Sequence, residues 1–401
     1  MKAVDTNVLV RFLVRDDKKQ AEMVHKLFKQ AETKNETLFV PLLVVLETIW
    51  VLESVYEISR EEILDAFQEL LLMPILSFET PSALQNTLSA AQKSKNILVL
   101  SPAIQTLDNL LDALAQAKSG DIIFIHPRAK IDCTERVYIE KLVLEIPAGV
   151  TLASNRGHNK SPGGMIFSDT FETRPLIRIL GPDVRITGLR IRGPNPKPCL
   201  EHHRRSFVEG HGREYYYKFP TSDGIFTEHN RLEIDNCELA GWSHAAISLS
   251  NGKNHFIHHN FIHHNQYNGL GYDISHNTAE SRISHNLFNT NRHSIAGTGR
   301  PQSGYEACHN IELGQSLSHC FDMHGGRDRK DGTTVAGTWM NIHHNTFLCP
   351  KTAVVIRGTP KQKADIHHNW FYQNPTELSV RTDGNTTIHD NVYGLTDPQY
   401  L

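Results

Sequence analysis

A short motif recurs seven times between residue 234 and the C-terminus, and it restricts the fold more than any other feature of the sequence. Each copy has an apolar residue, then polar residues that end in asparagine, then an apolar or aromatic residue. The copies read IDNCEL, IHHNFI, ISHNLF, ACHNIEL, IHHNTF, IHHNWF and IHDNVY. Their asparagines are Asn236, Asn260, Asn286, Asn310, Asn345, Asn369 and Asn391, spaced by 24, 26, 24, 35, 24 and 22 residues. A period of about 24 residues with one insertion of about 11 predicts a solenoid of stacked coils.

The asparagine has a physical reason to recur at one place in each coil. Asparagine tolerates left-handed backbone angles at a tight turn, and in a stack its amide can bond the asparagines above and below. The repeats resemble the pectate-lyase-like superfamily over about 280 of the 401 residues. The segment TLDNLLDALAQAKSGDIIFI resembles the capping helix and first strand that open that fold. The resemblance implies a mainly β chain, a right-handed parallel β-helix of about 24 residues per coil, but no single reaction.

The first 92 residues have a different texture from the rest. An apolar strand at 3–10 is followed by helical patterns at 17–33, 41–56, 60–72 and 81–92. From His126 onward, short β runs rich in Asn, Gly and His replace the helices. We therefore predict a small α/β domain at 1–92, a linker and capping helix at 93–119, and the solenoid at 120–401.

Bulk composition excludes several classes of protein. The 41 basic and 44 acidic residues give a net charge of −3, which does not favour a nucleic-acid or membrane-surface binder. The six cysteines show no CxxC spacing, which fits a reducing compartment. The N-terminus, MKAVDTNVLVRFLVRDD, lacks the apolar stretch of a signal peptide. We expect a soluble cytoplasmic protein with no membrane partner.

Pairs of histidines precede several of the repeated asparagines. His258-His259, His343-His344 and His367-His368 are examples. Each pair should fall at the same corner of successive coils, roughly 4.8 Å apart, where stacked imidazoles can satisfy turn carbonyls. We interpret these pairs as a structural ladder rather than a metal site, because a metal needs converging ligands and a carboxylate.

The strand about ten residues after each asparagine offers the best catalytic surface. Side chains alternate along a strand, so the neighbours of inward apolar pairs face solvent. One predicted outward column reads Ser250, Asp273, Thr298, His324, Arg357 and Arg381, and the column beside it reads Ser248, Gly271, Ala296, Asp322, Val355 and Ser379. Asp322 and His324 should lie about 7 Å apart, with Asp273 about 10 Å to one side. We predict Asp273, Asp322 and His324 as catalytic residues.

Irregular loops leave the same predicted strip. They are GTGRPQSGYE (297–306), HGGRDRKDGTT (324–334) and an earlier excursion at 194–224. Long loops on a rigid solenoid usually build the cleft. The predicted substrate-binding residues in and beside these loops are Arg300, Tyr305, Arg327, Arg357 and Arg381.

Two chemistries of the superfamily fit these residues. A lyase removes the proton α to a uronate carboxyl group while cations neutralise that acid, and a hydrolase uses paired carboxylates. For an anionic sugar, the arginines would hold the carboxylate and His324 would take the proton. Asp322 or Asp273 would orient the imidazole or bind a cation such as Ca²⁺. A glycosidase acting through Asp273 and Asp322 remains open.

The N-terminal segment points to another activity. AVDTNVLVRFLVRDD and FVPLLVVLETIWVLES resemble the first half of a PIN-domain ribonuclease of the toxin-antitoxin type, over about 80 residues. The resemblance implies that Asp5 and Glu47 hold Mg²⁺ or Mn²⁺ for RNA cleavage. Such sites need three or four carboxylates, and the second half of the family pattern is not recognisable. Asp108 and Asp112 stand at a suitable distance in sequence, on the predicted capping helix.

Three functions therefore remain open from sequence. One is a carbohydrate-active enzyme that acts on a polysaccharide or oligosaccharide, with a degenerate PIN segment that packs or dimerises. Another is a metal-dependent ribonuclease whose solenoid binds a ligand. The last is a scaffold without catalysis.

Overall fold

The computed structural model describes residues 2–34, 36–56, 58–79, 103–194, 221–266, 270–373 and 376–394, and the isolated positions 81, 84, 85, 88 and 209. The chain divides into two compact units, Met1–Ile97 and Leu98–Leu401. The first is a small α/β unit and the second is the solenoid. No helix in the described ranges is long and apolar enough to cross a membrane.

The N-terminal unit has four described helices beside a three-stranded parallel sheet of order β1-β2-β3. The strands are β1 (Lys2–Ala3), β2 (Leu38–Val40) and β3 (Leu76–Phe78). The helices are α1 (Thr6–Val14), α2 (Lys18–Thr33), α3 (Leu42–Ser54) and α4 (Arg60–Leu71). Side chains cap the helix starts: the Asp5 carboxylate accepts from the Val8 amide at 3.0 Å, and Ser59 and Glu62 form a capping box. The buried faces form a core of their own, with Leu9, Phe67 and other apolar residues at its centre.

Three long parallel sheets form the walls of the solenoid. The first sheet contains β4 (Ile122–Phe124), β7 (Thr151–Ala153), β10 (Arg185–Thr187), β13 (Glu233–Asp235), β16 (His255–His258), β19 (Glu280–Ser284), β22 (Gly304–Cys308), β25 (Trp339–His343), β28 (Lys363–His367) and β31 (Thr386–His389). The second contains β5 (Lys130–Asp132), β8 (Met165–Phe167), β11 (Arg190–Arg192), β14 (Glu238–Ala240), β17 (Phe261–His263), β20 (Leu287–Asn289), β23 (Ile311–Glu312), β26 (Thr346–Phe347), β29 (Trp370–Phe371) and β32 (Val392–Tyr393). The third contains β6 (Leu144–Ile146), β9 (Ile177–Ile179), β12 (Asp223–Thr227), β15 (Ala245–Leu249), β18 (Tyr272–His276), β21 (His293–Gly297), β24 (Phe321–Met323), β27 (Val354–Ile356) and β30 (Val380–Thr382).

Each coil contributes one strand to each sheet, so the chain is a right-handed parallel β-helix preceded by a small α/β unit, as the sequence predicts. Stacked apolar side chains fill the interior, for example Ile247, Ile274, Ile295 and Phe321 in the third sheet. The described residues also include four short helices in this unit: α5 (Leu107–Gln116), α6 (Thr134–Glu140), α7 (Gly326–Arg329) and α8 (Thr376–Ser379). Helix α5 lies in the segment predicted to cap the solenoid, and its Leu110 and Leu114 join the solenoid core.

The repeated asparagines form a buried ladder at the corner between the first and second sheets. The side-chain Nδ2 of Asn310 donates to Oδ1 of Asn345 and to the backbone oxygen of Ile283. Oδ1 of Asn310 in turn accepts from Nδ2 of Asn286. Similar bonds link the asparagines from Asn260 to Asn391. The residue with the left-handed φ is the one before each ladder asparagine, such as His309 at 56°. The left-handed turn residue therefore directly precedes the ladder asparagine, whereas the sequence predicts both roles for the asparagine itself.

Asn236 is not part of this ladder. Asp235 pairs with His258, so Asn236 matches His259 and Cys237 occupies the ladder position. The Cys237 amide donates to Asn260 Oδ1 at 2.9 Å. The motif IDNCEL is therefore shifted by one residue from the other copies.

Candidate active site

The outer face of the third sheet carries the most charged and best-connected group of side chains in the described solenoid. Within β24, Phe321 and Met323 point into the core, and Asp322 points to the other side. Asp322 pairs with Ala296 of the preceding coil and Val355 of the next one. The small neighbours leave room for longer side chains to fold over the carboxylate.

Asp322 is covered completely, with 0% of its surface exposed, by three imidazoles and one guanidinium. We call this group the Asp322 cluster; its members are Asp322, His293, His319, His324 and Arg357. The Nε2 atoms of His324, His319 and His293 lie 2.9, 3.1 and 3.7 Å from the carboxylate oxygens. Arg357 donates through Nε to Oδ1 at 2.9 Å and through Nη2 to Oδ2. The carboxylate is thus enclosed by one guanidinium cation and three imidazole rings.

These contacts set the charge state of the cluster. Burial alone would raise the pKa of Asp322, but hydrogen bonds from His319 and His324 and the nearby charges hold that pKa well below its usual value. Desolvation lowers the pKa of His319 and, more strongly, that of His293. Asp322 is therefore ionised at neutral pH, and His293 is a neutral imidazole.

A cleft with a volume of about 480 Å³ opens on the same face of the sheet, toward the N-terminal coils. We call it the arginine cleft, because Arg174, Arg178 and Arg300 line it. Asp223 and His244 also line the cleft, and His244 Nδ1 lies 2.5 Å from the Asp223 carboxylate. Three guanidinium groups in one cavity favour an anionic ligand.

The cleft and the Asp322 cluster are joined through the loop after β21. Thr298 and Arg300 line the cleft, and Gly299 between them packs against the backbone of His324. A Cβ atom at Gly299 would stand only 1.6 Å from the His324 carbonyl oxygen, and its φ of +69° also favours glycine. The arginine cleft therefore ends next to His324, the residue that follows β24.

Two predicted catalytic residues lie together, and the third does not. His324 is 30% exposed at its side chain and contacts Asp322 directly, closer than the 7 Å expected. Asp273 lies inside the solenoid with no exposed surface, so its expected place on the outer column is wrong. Its carboxylate accepts from the amides of Asn265 and Asn291, and burial raises its pKa well above the usual value. Asp273 is therefore unavailable to substrate.

The predicted substrate-binding residues are also separated by the structure. Tyr305 is buried against His276 in the interior, which makes its expected contact with substrate wrong, and burial raises its pKa. Arg381 belongs to the column of Asp322 and Val355, not to that of His324. Arg327 is 76% exposed on α7 and pairs with Asp383. Arg357 is bound to Asp322, so of the predicted arginines only Arg300 lines the cleft.

Sequence reasoning missed His293, His319, His244, Asp223 and the cleft arginines Arg174 and Arg178. His319 stands three residues before Asp322, a spacing visible in the segment SHCFDMHGG. His293 becomes a neighbour only through the pairing of coils. It lies in β21, which pairs with β24.

The paired histidines at the corners are stacked, as predicted. Rings of His259, His285, His309, His344 and His368 stack with centroids 4.9 to 5.1 Å apart. Two groups near this ladder bring potential metal ligands together, Glu306 with Cys308 and His343, and Glu233 with Asp235 and His258. A third group is His293, His319 and Asp322 of the Asp322 cluster.

The expected metal site of the N-terminal unit has two carboxylates. Asp5 caps α1, and Glu47 accepts a hydrogen bond from the Thr6 hydroxyl at 2.6 Å. Neither residue belongs to a group of three potential ligands within the ranges described for the chain. Asp108 lies on α5 and pairs with Arg136 of the solenoid. Since such a site needs three or four carboxylates, the described donor set does not fit a complete Mg²⁺ or Mn²⁺ centre.

The comparisons with known proteins find a PIN domain at the N-terminus, and the family match extends beyond the boundary between the two units. Residues 2–126 match the family model of the PIN domain, whereas the first unit ends at Ile97. A VapC ribonuclease of Aquifex aeolicus (strain VF5) is 37% identical over 71 residues, which cover 18% of this chain and 52% of that protein. The chain thus spans about half the length of the curated relative that it matches.

Two solved structures resemble the β-helix. An alginate lyase from Paenibacillus sp. str. FPU-7 has a TM-score of 0.44 at 12% identity, covering 73% of this chain and 94% of that chain. The Dettilon tailspike protein has a TM-score of 0.40 at 12% identity, covering 72% of this chain and 55% of that chain. At these values the likenesses carry no information about activity.

Proposed function

We propose that the solenoid is a carbohydrate-active enzyme, a lyase that cleaves a uronate-containing glycan on the outer face of the third sheet. One observation carries the proposal: the His324 imidazole rests on an ionised, buried carboxylate at 2.9 Å, on the same face as the arginine cleft. A base and a cluster of cations are the two elements that β-elimination of a uronate requires.

The roles of the residues follow from their contacts. Ionised Asp322 keeps a proton on His324 Nε2, which leaves Nδ1 of that ring as the base. Nδ1 takes the proton from the carbon α to the sugar carboxylate, and the electron pair forms a C=C double bond as the glycosidic C–O bond at the β carbon breaks. The departing oxygen takes up a proton from solvent water. Arg300 and the other cleft arginines hold acidic groups of the chain by charge-assisted hydrogen bonds.

A hydrolase has less support from the same geometry. Asp273 lies inside the solenoid, and both oxygens of Asp322 are engaged by Arg357. A pair of free carboxylates on opposite sides of a glycosidic bond is what hydrolysis needs. The pair Asp273 and Asp322 does not provide it.

A panel of anionic and neutral polysaccharides tests the proposal. The full chain should release unsaturated oligosaccharides, followed by ultraviolet absorbance, from anionic polymers alone. His324→Ala should lower kcat by about 10²- to 10⁴-fold, the usual contribution of a general base. His389→Ala, an imidazole at the far end of the first sheet, serves as the matched control. Products without a double bond, or unchanged activity in His324→Ala, would exclude the proposed lyase.

Cleavage of RNA by the PIN-domain segment is the second candidate, and the family match at residues 2–126 supports it. The described carboxylates of the expected metal site number two, so this candidate requires at least one further ligand. The measurement compares wild type with Asp5→Ala on labelled single-stranded RNA with Mg²⁺ or Mn²⁺. Metal-dependent cleavage that Asp5→Ala abolishes would establish a nuclease, and cleavage no higher than background would exclude it.

A further inference from the structure

We propose that His293, His319 and Asp322 form a binding site for one divalent transition-metal ion of the zinc type. The two imidazole nitrogens and one carboxylate oxygen lie within 4.8 Å of one another. His319 Nε2 lies 3.1 Å from Oδ1 of the carboxylate and His293 Nε2 lies 3.7 Å from Oδ2. Both distances are close to the separation of about 3.4 Å between ligands that bind zinc at about 2.1 Å in a tetrahedron.

The state of the His293 ring is an independent observation that points to a ligand. His293 Nδ1 lies 2.6 Å from the backbone oxygen of His319, which can only accept, so Nδ1 carries the proton. In the neutral ring, Nε2 is then a bare lone pair. This atom is fully buried and has no hydrogen-bond partner in the described chain, and an oxygen of the Asp322 carboxylate lies 3.7 Å away. A buried lone pair that faces an anion is unfavourable, and a cation bound to both groups would satisfy it.

The ligand types select the kind of metal. Imidazole nitrogen suits zinc, copper, nickel and iron, whereas Ca²⁺ takes six to eight oxygen ligands. Asp322 is the single carboxylate in contact with the two imidazoles. The site therefore favours a transition-metal ion, and the Ca²⁺ expected from sequence on this face does not match these donors.

The other groups of potential ligands lack such an orphan atom. His343 Nε2 already faces Glu306 at 3.0 Å, and His258 Nε2 faces Glu233 at 3.2 Å. Asp235 is held by both arms of Arg185 at 2.8 and 3.0 Å. The imidazole nitrogens and carboxylates of these two groups therefore have partners, whereas His293 Nε2 has none in the described chain.

Arg357 binds the Asp322 carboxylate, to which the metal ion would also bind. Its guanidinium bonds both oxygens of Asp322, and Nη2 also lies 3.2 Å from His319 Nε2. An incoming ion must displace these contacts, since two positive charges cannot share one carboxylate closely. The arginine and the metal are thus alternative cations for Asp322, and removal of the arginine should tighten metal binding.

Binding of Co²⁺ to the full chain tests the site without any substrate, so its outcome is independent of glycan cleavage. The experiment uses the double variant Asp5→Asn/Glu47→Gln as the parent, because it removes the two carboxylates of the expected metal site in the PIN-domain segment. After chelation and dialysis, titration with CoCl₂ should give one equivalent per chain, with the visible absorption of a low-coordinate nitrogen site. ZnCl₂ should displace it, and CaCl₂ should not.

Ligand variants decide which residues bind the ion. His293→Gln and His319→Ala should each weaken Co²⁺ binding by about 100-fold or more, beyond the loss typical of supporting residues. His244→Asn, which removes an imidazole from the arginine cleft, should leave it unchanged, and Arg357→Met should tighten it. Circular dichroism melts identify any variant that fails to fold.

Three results would overturn the site. They are the absence of a bound equivalent in the parent, full binding by a folded His293→Gln, and loss of binding in a folded Arg357→Met. The first result would mean that a proton alone separates His293 from Asp322.

Discussion

Single side chains decide how the outer face of the solenoid meets a ligand. Asp322 is fully covered, so it acts on a substrate only through the groups that it holds. His324, which contacts Asp322, and Arg300, which follows Gly299 in the cleft, both reach solvent. Chemistry and binding are therefore assigned to different residues.

Arg300 should affect binding more than turnover. It lines the cleft and is not a member of the Asp322 cluster. Arg300→Ala should raise KM for an anionic polymer about tenfold with little change in kcat, because uniform binding is lost. Initial rates over a range of substrate concentrations measure both constants, and Lys330→Ala on the exposed end of α7 is the control. A fall in kcat at constant KM would contradict this role.

Asn310 should be important for stability although it is far from any chemistry. Asn310→Ala removes bonds to Ile283, Asn345 and Asn286 and leaves buried polar groups unpaired. The free energy of unfolding should fall by about 2 to 4 kcal/mol. Urea denaturation measures it.

Asn236→Gly is the matched control for the ladder. This residue has a left-handed φ of 52° and lies outside the ladder, so glycine should cost less than about 0.5 kcal/mol. Equal losses in the two variants would show that the ladder has no special role.

Among the elements, the loop at 324–334 has the strongest connection to the site. Arg329 in α7 donates to the backbone oxygens of Thr298 and Val335 at 2.7 and 2.9 Å and pairs with Asp331 at 2.8 Å. The loop that begins at His324 is thereby tied to the preceding coil.

Removal of Arg329 should loosen this loop. Arg329→Ala leaves two carbonyl groups without their charged donor, so amide hydrogen exchange in 324–334 should accelerate by about tenfold or more. Mass spectrometry after digestion measures the exchange. Arg327→Ala on the same helix removes only an exposed ion pair and should leave exchange unchanged. Identical exchange in wild type and Arg329→Ala would show that Arg329 does not hold the loop against the preceding coil.

The fold was predictable from these elements, but the full site was not. The spacing of the asparagines is a chain-wide pattern that survives the 35-residue interval between Asn310 and Asn345. The predicted outward columns rest on matching the inward apolar pairs of successive coils. This matching fails where a polar residue takes an inward position, as His276 does beside Leu249 and Thr382 beside Ile356. The true register of the strands at 272–276 and 380–382 therefore differs from the predicted one.

The alternation of inward and outward side chains breaks at Asp273, which the sequence predicts on the outer face. Asp273 and Ile274 are consecutive, yet both are fully buried. A second asparagine pair, Asn265 and Asn291, supplies hydrogen bonds to the Asp273 carboxylate at this corner. No strand period in the sequence reveals a corner where two successive side chains turn inward.

For the molecule as a whole, the many histidines make stability depend on pH. Burial lowers the pKa of His276 to about 3, and burial and neighbouring imidazoles lower the pKa of His259, His309 and His344. At these rings the unfolded chain binds more protons below pH 6.5, so their contribution to the free energy of unfolding falls as the pH falls from about 6.5, whereas the raised pKa of buried Asp273 acts in the opposite direction.

His276 makes a contribution that a single substitution isolates. At pH 5 the ring lies 1.5 pH units below its ordinary pKa of 6.5, which corresponds to about 2 kcal/mol lost relative to pH 7.5. Denaturant titrations of wild type and His276→Gln at pH 7.5, 6 and 5 measure this loss as the difference between the two pH profiles. Replacement of the exposed His229 by glutamine should leave the wild-type profile unchanged. Parallel profiles for wild type and His276→Gln would rule out a contribution from the buried imidazole.

The insertion between Asn310 and Asn345 leaves the stack around it undisturbed, because these two asparagines bond at 3.0 Å, the same distance as Asn286 and Asn310. Evolution can therefore lengthen, shorten or exchange the segment that follows His324 while the scaffold keeps its shape. New specificities can arise there by loop replacement, without the compensating core mutations that a globular enzyme would need.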